Sequence, residues 1–302
     1  MKPSRSTIVS VRGLRYHVRE WGEPSAPRLF LLHGWMDVSA SFQFTVDELR
    51  REWFVIAPDW RGFGLSQWTN QGYWFPDYIA DLDVILQRYS PDEPARIVGH
   101  SMGGNVANLY AGIRPERVRK LVLAEGFGLP PTKPEEAPER YGQWLAENRV
   151  PPIRRAYKTF EDVAGLLMGN NPQLGDERAR YLAPHWAEEK PDGSVHLRAD
   201  PSHKMVNPVL YRIEEAMACW RRIVAPVLWL WSDSEWMTRF MGGNQALLES
   251  YRACFGSLSE ETIAGASHMM HHDQPAAFAR SIEAFMAHSW RIHDKGGPDE
   301  KF

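Results

Sequence analysis

The run Gly99-His100-Ser101-Met102-Gly103 sets a serine between two glycines. A serine hydroxyl is a weak nucleophile until a base removes its proton, and the base works best when an acid fixes its tautomer. The run follows the apolar stretch Ala95 to Val98 and precedes a helical pattern that starts near Gly103. That is the setting Gly-x-Ser-x-Gly requires, because small residues let the chain turn sharply from strand to helix and hold the serine in a strained conformation with its hydroxyl projecting. The helix N-terminus behind it favours developing negative charge. As five letters the pattern equally describes a glycine-rich turn, and the setting is what singles out Ser101 as a candidate nucleophile.

The base is sought among eleven histidines. His268 follows a short strand pattern through the loop Gly265-Ala266-Ser267 and precedes the last helical pattern, where a loop residue reaches the strand ends. The cluster His268-Met269-Met270-His271-His272-Asp273 invites a metal reading, but adjacent histidines lack the i, i+4 spacing of a helical zinc site and no third ligand stands nearby in sequence. Neither metal nor cofactor is therefore expected. An oxyanion needs two backbone donors. One is expected from Met102, directly after the serine, and the other from Trp35, in the turn His33-Gly34-Trp35 where a glycine permits close approach.

These residues need a scaffold that brings strand ends together. Thr7 to Val11 and Leu14 to Trp21 pattern as a hairpin around Arg12-Gly13, and Arg28 to Leu32, Trp53 to Ala57, Arg96 to Val98 and Arg119 to Ala124 as further strands. Between them, Phe42, Val46 and Leu49, then Ile79, Leu82, Ile85 and Leu86, then Val106 to Ala111, fall at helical spacing. Such alternation predicts an α/β fold with a mostly parallel sheet covered by helices on both faces. From about 129 to 222 prolines crowd at 130, 131, 134, 138, 151 and 152, with helical patches at Arg140 to Asn148 and Val209 to Cys219 and no strong strand, which reads as a helical insertion. Alternation resumes with the strand Pro226 to Trp231, a helix at Ala246 to Ala253, a short strand near Glu261 to Ala264 and a helix from Pro275 to Ala287. The expected division is a core of 1–128 and 223–292, the insertion at 129–222, and a frayed tail at 293–302.

With 302 residues, 43% hydrophobic and 24% charged, the chain has the composition of a folded globular protein. A net charge of -3 with no basic stripe argues against nucleic acid. No signal-like apolar stretch opens the chain and no run of about 18 apolar residues occurs, so a cytoplasmic protein with no membrane partner is expected. Two cysteines, Cys219 and Cys254, read as reduced thiols. Thirteen tryptophans include Trp35, Trp60, Trp229, Trp231 and Trp236 near strand ends, where they either wall an apolar pocket or fill the core. The core reading is the commoner fate.

The series His33-Gly34-Trp35, Asp59-Trp60-Arg61-Gly62-Phe63-Gly64-Leu65-Ser66, Gly99 to Gly104, Pro226 to Trp231 and Gly265 to His268 resembles the α/β-hydrolase family, in matching order from about residue 28 to 287. The resemblance implies an eight-stranded sheet, a helical cap at about 129 to 222, and serine, acid and histidine in that chain order. It also implies a structural loop at Asp59 to Ser66, with Arg61 as its anchor. For the acid, family members usually carry Gly-x-x-Asp after the strand matching Val227 to Trp231; here Ser232-Asp233-Ser234-Glu235 puts Glu235 at that position, the first candidate. Dehalogenase-like members place the acid one core strand earlier, which makes Glu125 the second candidate, and Asp233 is the third. A serine nucleophile argues against haloalkane dehalogenase and epoxide hydrolase, which need a carboxylate there. The implied activity is hydrolysis of a carboxylic ester or lactone of a small apolar or aromatic substrate. A cofactor-free perhydrolase, a C-C bond hydrolase or a non-catalytic binding protein on the same fold are the alternatives. Oligomeric state has no signal in the sequence.

Overall fold

The computed structural model describes residues 1–70, 72–234, 239 and 242–287. The chain opens with the hairpin β1 (Ser4–Val11) and β2 (Leu14–Trp21), followed by β3 (Arg28–Leu32), α1 (Gln43–Glu48), β4 (Phe54–Pro58), α2 (Phe75–Tyr89), β5 (Ala95–His100), α3 (Met102–Ile113) and β6 (Val118–Ala124). An insertion follows, with α4 (Ala137–Arg149), β7 (Ala156–Tyr157), α5 (Phe160–Asn170), α6 (Asp176–Trp186), β8 (Ala187–Glu189), β9 (Val195–Leu197) and α7 (Ile213–Trp220). The chain then returns through β10 (Val227–Ser232), α8 (Gln245–Arg252), β11 (Leu258–Ile263), α9 (Met270–Asp273) and α10 (Pro275–Ala287). Among the described residues no helix is long and apolar enough to cross a membrane.

The main sheet has eight strands in the order β1-β2-β4-β3-β5-β6-β10-β11. The hairpin and its junction with β4 are antiparallel, and every later pairing is parallel. Strand side chains point alternately to the two faces, and helices cover both, so the central strands are apolar throughout. Phe30 and Leu32 of β3, Leu121 and Leu123 of β6 and Val227 and Trp229 of β10 join one core with residues of α2, α3 and α7. Leu29 and Leu31, Val122 and Ala124, and Leu228 and Leu230 join the other, with residues of α1 and α10. At the usual 25 cal/mol per Å², each such buried aliphatic side chain contributes roughly 1.5 to 3 kcal/mol. Trp60 and Trp229 are fully buried in the first of these cores.

Three details differ from the sequence pattern. The insertion is not wholly helical: β7, β9 and β8 form a small antiparallel sheet. Strands of two or three residues are too short to show a period of two, so they leave no signal. The last strand begins at Leu258 rather than Glu261. It is an edge strand whose middle is exposed and polar, so its extent is set by pairing with β10 and not by its own apolarity. Finally, α3 starts directly after the serine and runs past the apolar patch Val106 to Ala111.

The insertion is fastened to the core through His203. Its ring lies between Phe63, at a centroid distance of 3.8 Å, and Tyr73, at 3.6 Å, and Asp200 beside it accepts from the Tyr73 hydroxyl at 2.8 Å. The amide of Asp200 donates to Gly62 O, which ties this segment to the Asp59 to Ser66 loop. That loop is anchored below by Arg61, whose guanidinium is buried against both oxygens of Asp81 at 2.6 Å. Arg61 is thus an anchor, as the resemblance implies.

Two measurements test this framework. A Cβ at Gly103 would lie 2.3 Å from the carbonyl oxygen of Leu32, so Gly103→Ala must push α3 off β3. A loss of about 1 to 3 kcal/mol in urea unfolding is expected. Burial holds the His203 imidazole down to about 3, below its ordinary value of 6.5. The folded state keeps it neutral while the unfolded chain takes up a proton, so its contribution is complete above pH 6.5 and declines as pH falls from 6.5 toward 3. His203→Gln should flatten the acid-side loss of stability by up to about 1.4 kcal/mol per pH unit, read from urea midpoints between pH 4 and 7; an unchanged slope would contradict the buried neutral ring.

Candidate active site

Ser101 sits between β5 and α3 with φ +50° and ψ -117°, a conformation an L-residue adopts only under constraint. The constraint is visible on both sides. The amide of Ser101 donates to Ala124 O of β6, and its own carbonyl accepts from the amide of Asn105 in the first turn of α3. The glycines around it are packed too tightly for any side chain, Gly99 against Gly103 and Gly104, and Gly104 against Gly126.

The hydroxyl of Ser101 lies 3.1 Å from Nε2 of His268. On the other side of the ring, Nδ1 lies 2.7 Å from Oε2 of Glu125. A carboxylate only accepts, so the network assigns the proton to Nδ1 and leaves an Nε2 lone pair facing the serine. Glu125 follows β6 with φ +47°, and its carboxyl is fully shielded from solvent. Its other oxygen accepts from the amide of Ser232 at 2.9 Å and from the Ser232 hydroxyl. Both carboxylate oxygens are therefore partnered, which is what makes a buried charge tolerable.

Of the three acid candidates, the structure brings Glu125 to His268. Asp233 instead caps the loop before His268, accepting from the amide of Gly265 at 2.6 Å. Glu235 and Trp236 lie outside the described residues, as does the tail at 293–302. The last residue of β10, just before the turn where the common pattern puts the acid, here supplies the donors that hold Glu125. The sequence carries no sign of that role for Ser232.

The turn that carries the second oxyanion candidate passes close to the serine. Gly34 comes so close to the serine that a Cβ would lie 3.2 Å from Ser101 Cβ and 2.9 Å from His100 Nδ1. Trp35 follows at once, and Met102 is the first residue of α3, whose amide is among the helix's unpaired N-terminal donors. His33 locks this turn: its Nδ1 donates to Gly34 O at 2.7 Å, while Nε2 accepts from the Trp60 amide at 2.9 Å. Burial keeps the ring neutral by lowering its pKa. Trp35 itself is 52% exposed, so its indole stands at the rim rather than in the core. Trp231 is half-buried and packs on Phe127.

The loop bearing His268 is held at three further points. Asp273 accepts from the amide and hydroxyl of Ser267 at 2.8 and 2.5 Å and from the side chain of Asn171, across the insertion, at 2.7 Å. His100, the variable residue of the serine motif, donates from Nε2 to the carbonyl of His268 at 2.8 Å. The motif flagged the position but not this function.

Comparison with known proteins bears on the family and the fold. A family model described as alpha/beta hydrolase fold matches residues 27–275. The chain is 31% identical to a serine hydrolase-like protein of Danio rerio over 222 residues, 70% of this chain and 66% of that protein. It is also 31% identical to the 3-hydroxybutyrate-oligomer hydrolase of Cupriavidus necator over 178 residues, 58% and 55% of the two chains. It thus spans just under two thirds and little over half of these relatives' lengths. In fold it is similar to the thioesterase domain from the curacin biosynthetic pathway, with a TM-score of 0.82 at 22% identity over 93% of this chain and 99% of that one. The chain belongs to the alpha/beta hydrolase fold family.

Proposed function

We propose that this protein is a serine hydrolase that cleaves a carboxylic ester or lactone of a small apolar or aromatic substrate. The observation that carries this reading is the unbroken relay from Ser101 Oγ through His268 to Glu125. In the proposed reaction His268 Nε2 takes the Ser101 proton as Oγ attacks the carbonyl carbon. The carbonyl oxygen becomes an oxyanion held by the amides of Trp35 and Met102, and the strained serine at a helix N-terminus is already aimed at it. Glu125 stabilises the imidazolium, which then donates its proton to the leaving alkoxide, and the bond to that oxygen breaks. Water repeats the sequence on the acyl-enzyme and releases the acid.

Residues 129–222 act in this reading as a cap that shapes the pocket over the strand ends, with Trp35 as an apolar element at the rim. The relative that hydrolyses 3-hydroxybutyrate oligomers supports ester chemistry, since such units are joined by ester bonds. The serine at the nucleophile position forms an acyl ester with an acyl donor, whereas opening an epoxide by an alkyl-enzyme route needs a carboxylate.

Ser101→Ala should lower kcat on p-nitrophenyl esters by at least about 10³-fold while leaving the circular dichroism spectrum intact; an unchanged rate sinks the proposal. Glu125→Gln should lose about 10⁴-fold through the wrong histidine tautomer. Asp233→Asn and Glu235→Gln should stay within about tenfold of the parent on the same assay. A collapse in Glu235→Gln with Glu125→Gln active would transfer the acid role. A panel varying acyl length and alcohol group then identifies the preferred ester.

A further inference from the structure

Beside the proposed catalytic base lies a second cluster of side chains that the hydrolysis does not use. The rings of His100 and His271 lie at a centroid distance of 4.5 Å and those of His100 and His268 at 4.8 Å, each pair tilted, and Asp37 closes the group. Asp37, His100 and His271 are each no more than 1% exposed, and one donor atom from each lies within 4.8 Å of the other two. His100 spends its Nε2 proton on the carbonyl of His268, and burial holds the ring neutral, so Nδ1 carries a lone pair. Among the described residues that nitrogen is buried with no hydrogen-bond partner. His271 approaches Asp37 Oδ2 through Nε2 at 3.2 Å, and its Nδ1 is likewise buried and unpartnered. Unpaired polar atoms in a dry interior cost about 1 to 3 kcal/mol each, and a metal that took the lone pair of His100 Nδ1 would relieve that one.

We propose that Asp37, His100 and His271 form an inhibitory binding site for a borderline divalent transition metal such as zinc. Two imidazole nitrogens and one carboxylate oxygen suit zinc and its neighbours in the first transition row rather than magnesium or calcium. Zinc bonds of about 2.0 to 2.2 Å at tetrahedral angles need donors about 3.4 Å apart. The His271 and Asp37 donors are already at 3.2 Å, and His100 Nδ1 has to close in to complete the set. On binding, the His271 Nε2 proton passes to its unpartnered Nδ1, Nε2 and His100 Nδ1 give their lone pairs to the metal, and Asp37 Oδ2 completes three protein ligands. A fourth position is left for water. No electron is transferred.

The site reaches the proposed chemistry in two ways. The dication adds two positive charges and leaves the site, with the Asp37 carboxylate, at a net +1 beside His268, which opposes formation of the imidazolium. It also draws on His100, which holds the backbone of His268. Because the ligands are sealed, metal enters only when the loop carrying His268 to His271 opens, so inhibition develops slowly. The sequence shows none of this, since the ligands stand at positions 37, 100 and 271.

The binding claim stands on geometry alone, and the inhibition rests on the proposed hydrolase activity. The test strips the full-length protein with EDTA, dialyses it against zinc chloride, counts bound zinc, and follows ester hydrolysis with time. Expected are one tightly held zinc per chain and a slow loss of at least about tenfold in rate, reversed by EDTA. His271→Gln should lose that equivalent and, relative to its own metal-free rate, its sensitivity. Asp37→Asn, which keeps an acceptor for Val38 N and Ser41 Oγ, should bind at least about tenfold more weakly, and it decides the matter if His271→Gln does not fold. A parent protein that retains no zinc overturns the proposal. So do variants that bind zinc and are inhibited like the parent, which would place the metal on Ser101, His268 and Glu125. One zinc bound and lost in the variants, with no ester hydrolysed by the metal-free parent, keeps the site and refutes the hydrolase reading.

Discussion

The carboxylate of Glu125 is the interaction on which the rest of the site depends. It is sealed from solvent at the end of β6 and accepts from His268 on one oxygen and from the backbone and hydroxyl of Ser232 on the other. A buried charge is stable only when its lone pairs are filled, and here the His268 loop and the end of β10 fill them. Removing any donor therefore leaves an uncompensated charge, which fixes the ends of β6 and β10 and the His268 loop relative to each other. The strained φ of Glu125, like that of Ser101, persists because its surroundings over-determine it.

The core beneath explains how such strain is carried. The central strands are apolar on both faces, so register errors are costly and strand ends arrive at fixed heights. Gly103 then lets α3 close on β3 and Gly34 lets the early turn close on Ser101. Polar anchors complete the frame. Asp59 accepts from His17, the amide of Ser39 and the amide of Leu65; burial, the largest single influence, raises its pKa, but the hydrogen bond and charge of His17 and the remaining partners together outweigh it and hold the group well below the usual carboxylate range. From the same loop Arg61 clamps Asp81 of α2.

The histidine cluster around position 268 shows how one loop serves two environments. His268 is partly open toward Ser101, while His271 and His272, three and four residues on, are sealed and held neutral by burial, at about 3. Adjacent letters of one type in the sequence thus have different chemistry, decided by which side of the loop faces the core.

By itself the sequence determined the alternating scaffold, the serine at a strand-to-helix turn, the histidine before the last helix and the turn at Trp35, because each is written in local pattern: short continuous apolar runs for the strands, glycines at a sharp turn, and punctuation between elements. What it left open was which carboxylate meets His268. Glu235 matched the commoner spacing, yet the contact is made by Glu125, held by Ser232 at the end of the strand that precedes the turn expected to supply the acid. Nor did local pattern show the short strands of the insertion, His100 behind His268, or Asp37 beside His271. These are contacts between residues 63 to 234 positions apart in the case of His100 and Asp37 with their partners, or strands too short to have a period. Hydrogen-bond partners across such separations are chosen by where the sheet and helices set the backbone, and only the tertiary structure decides that.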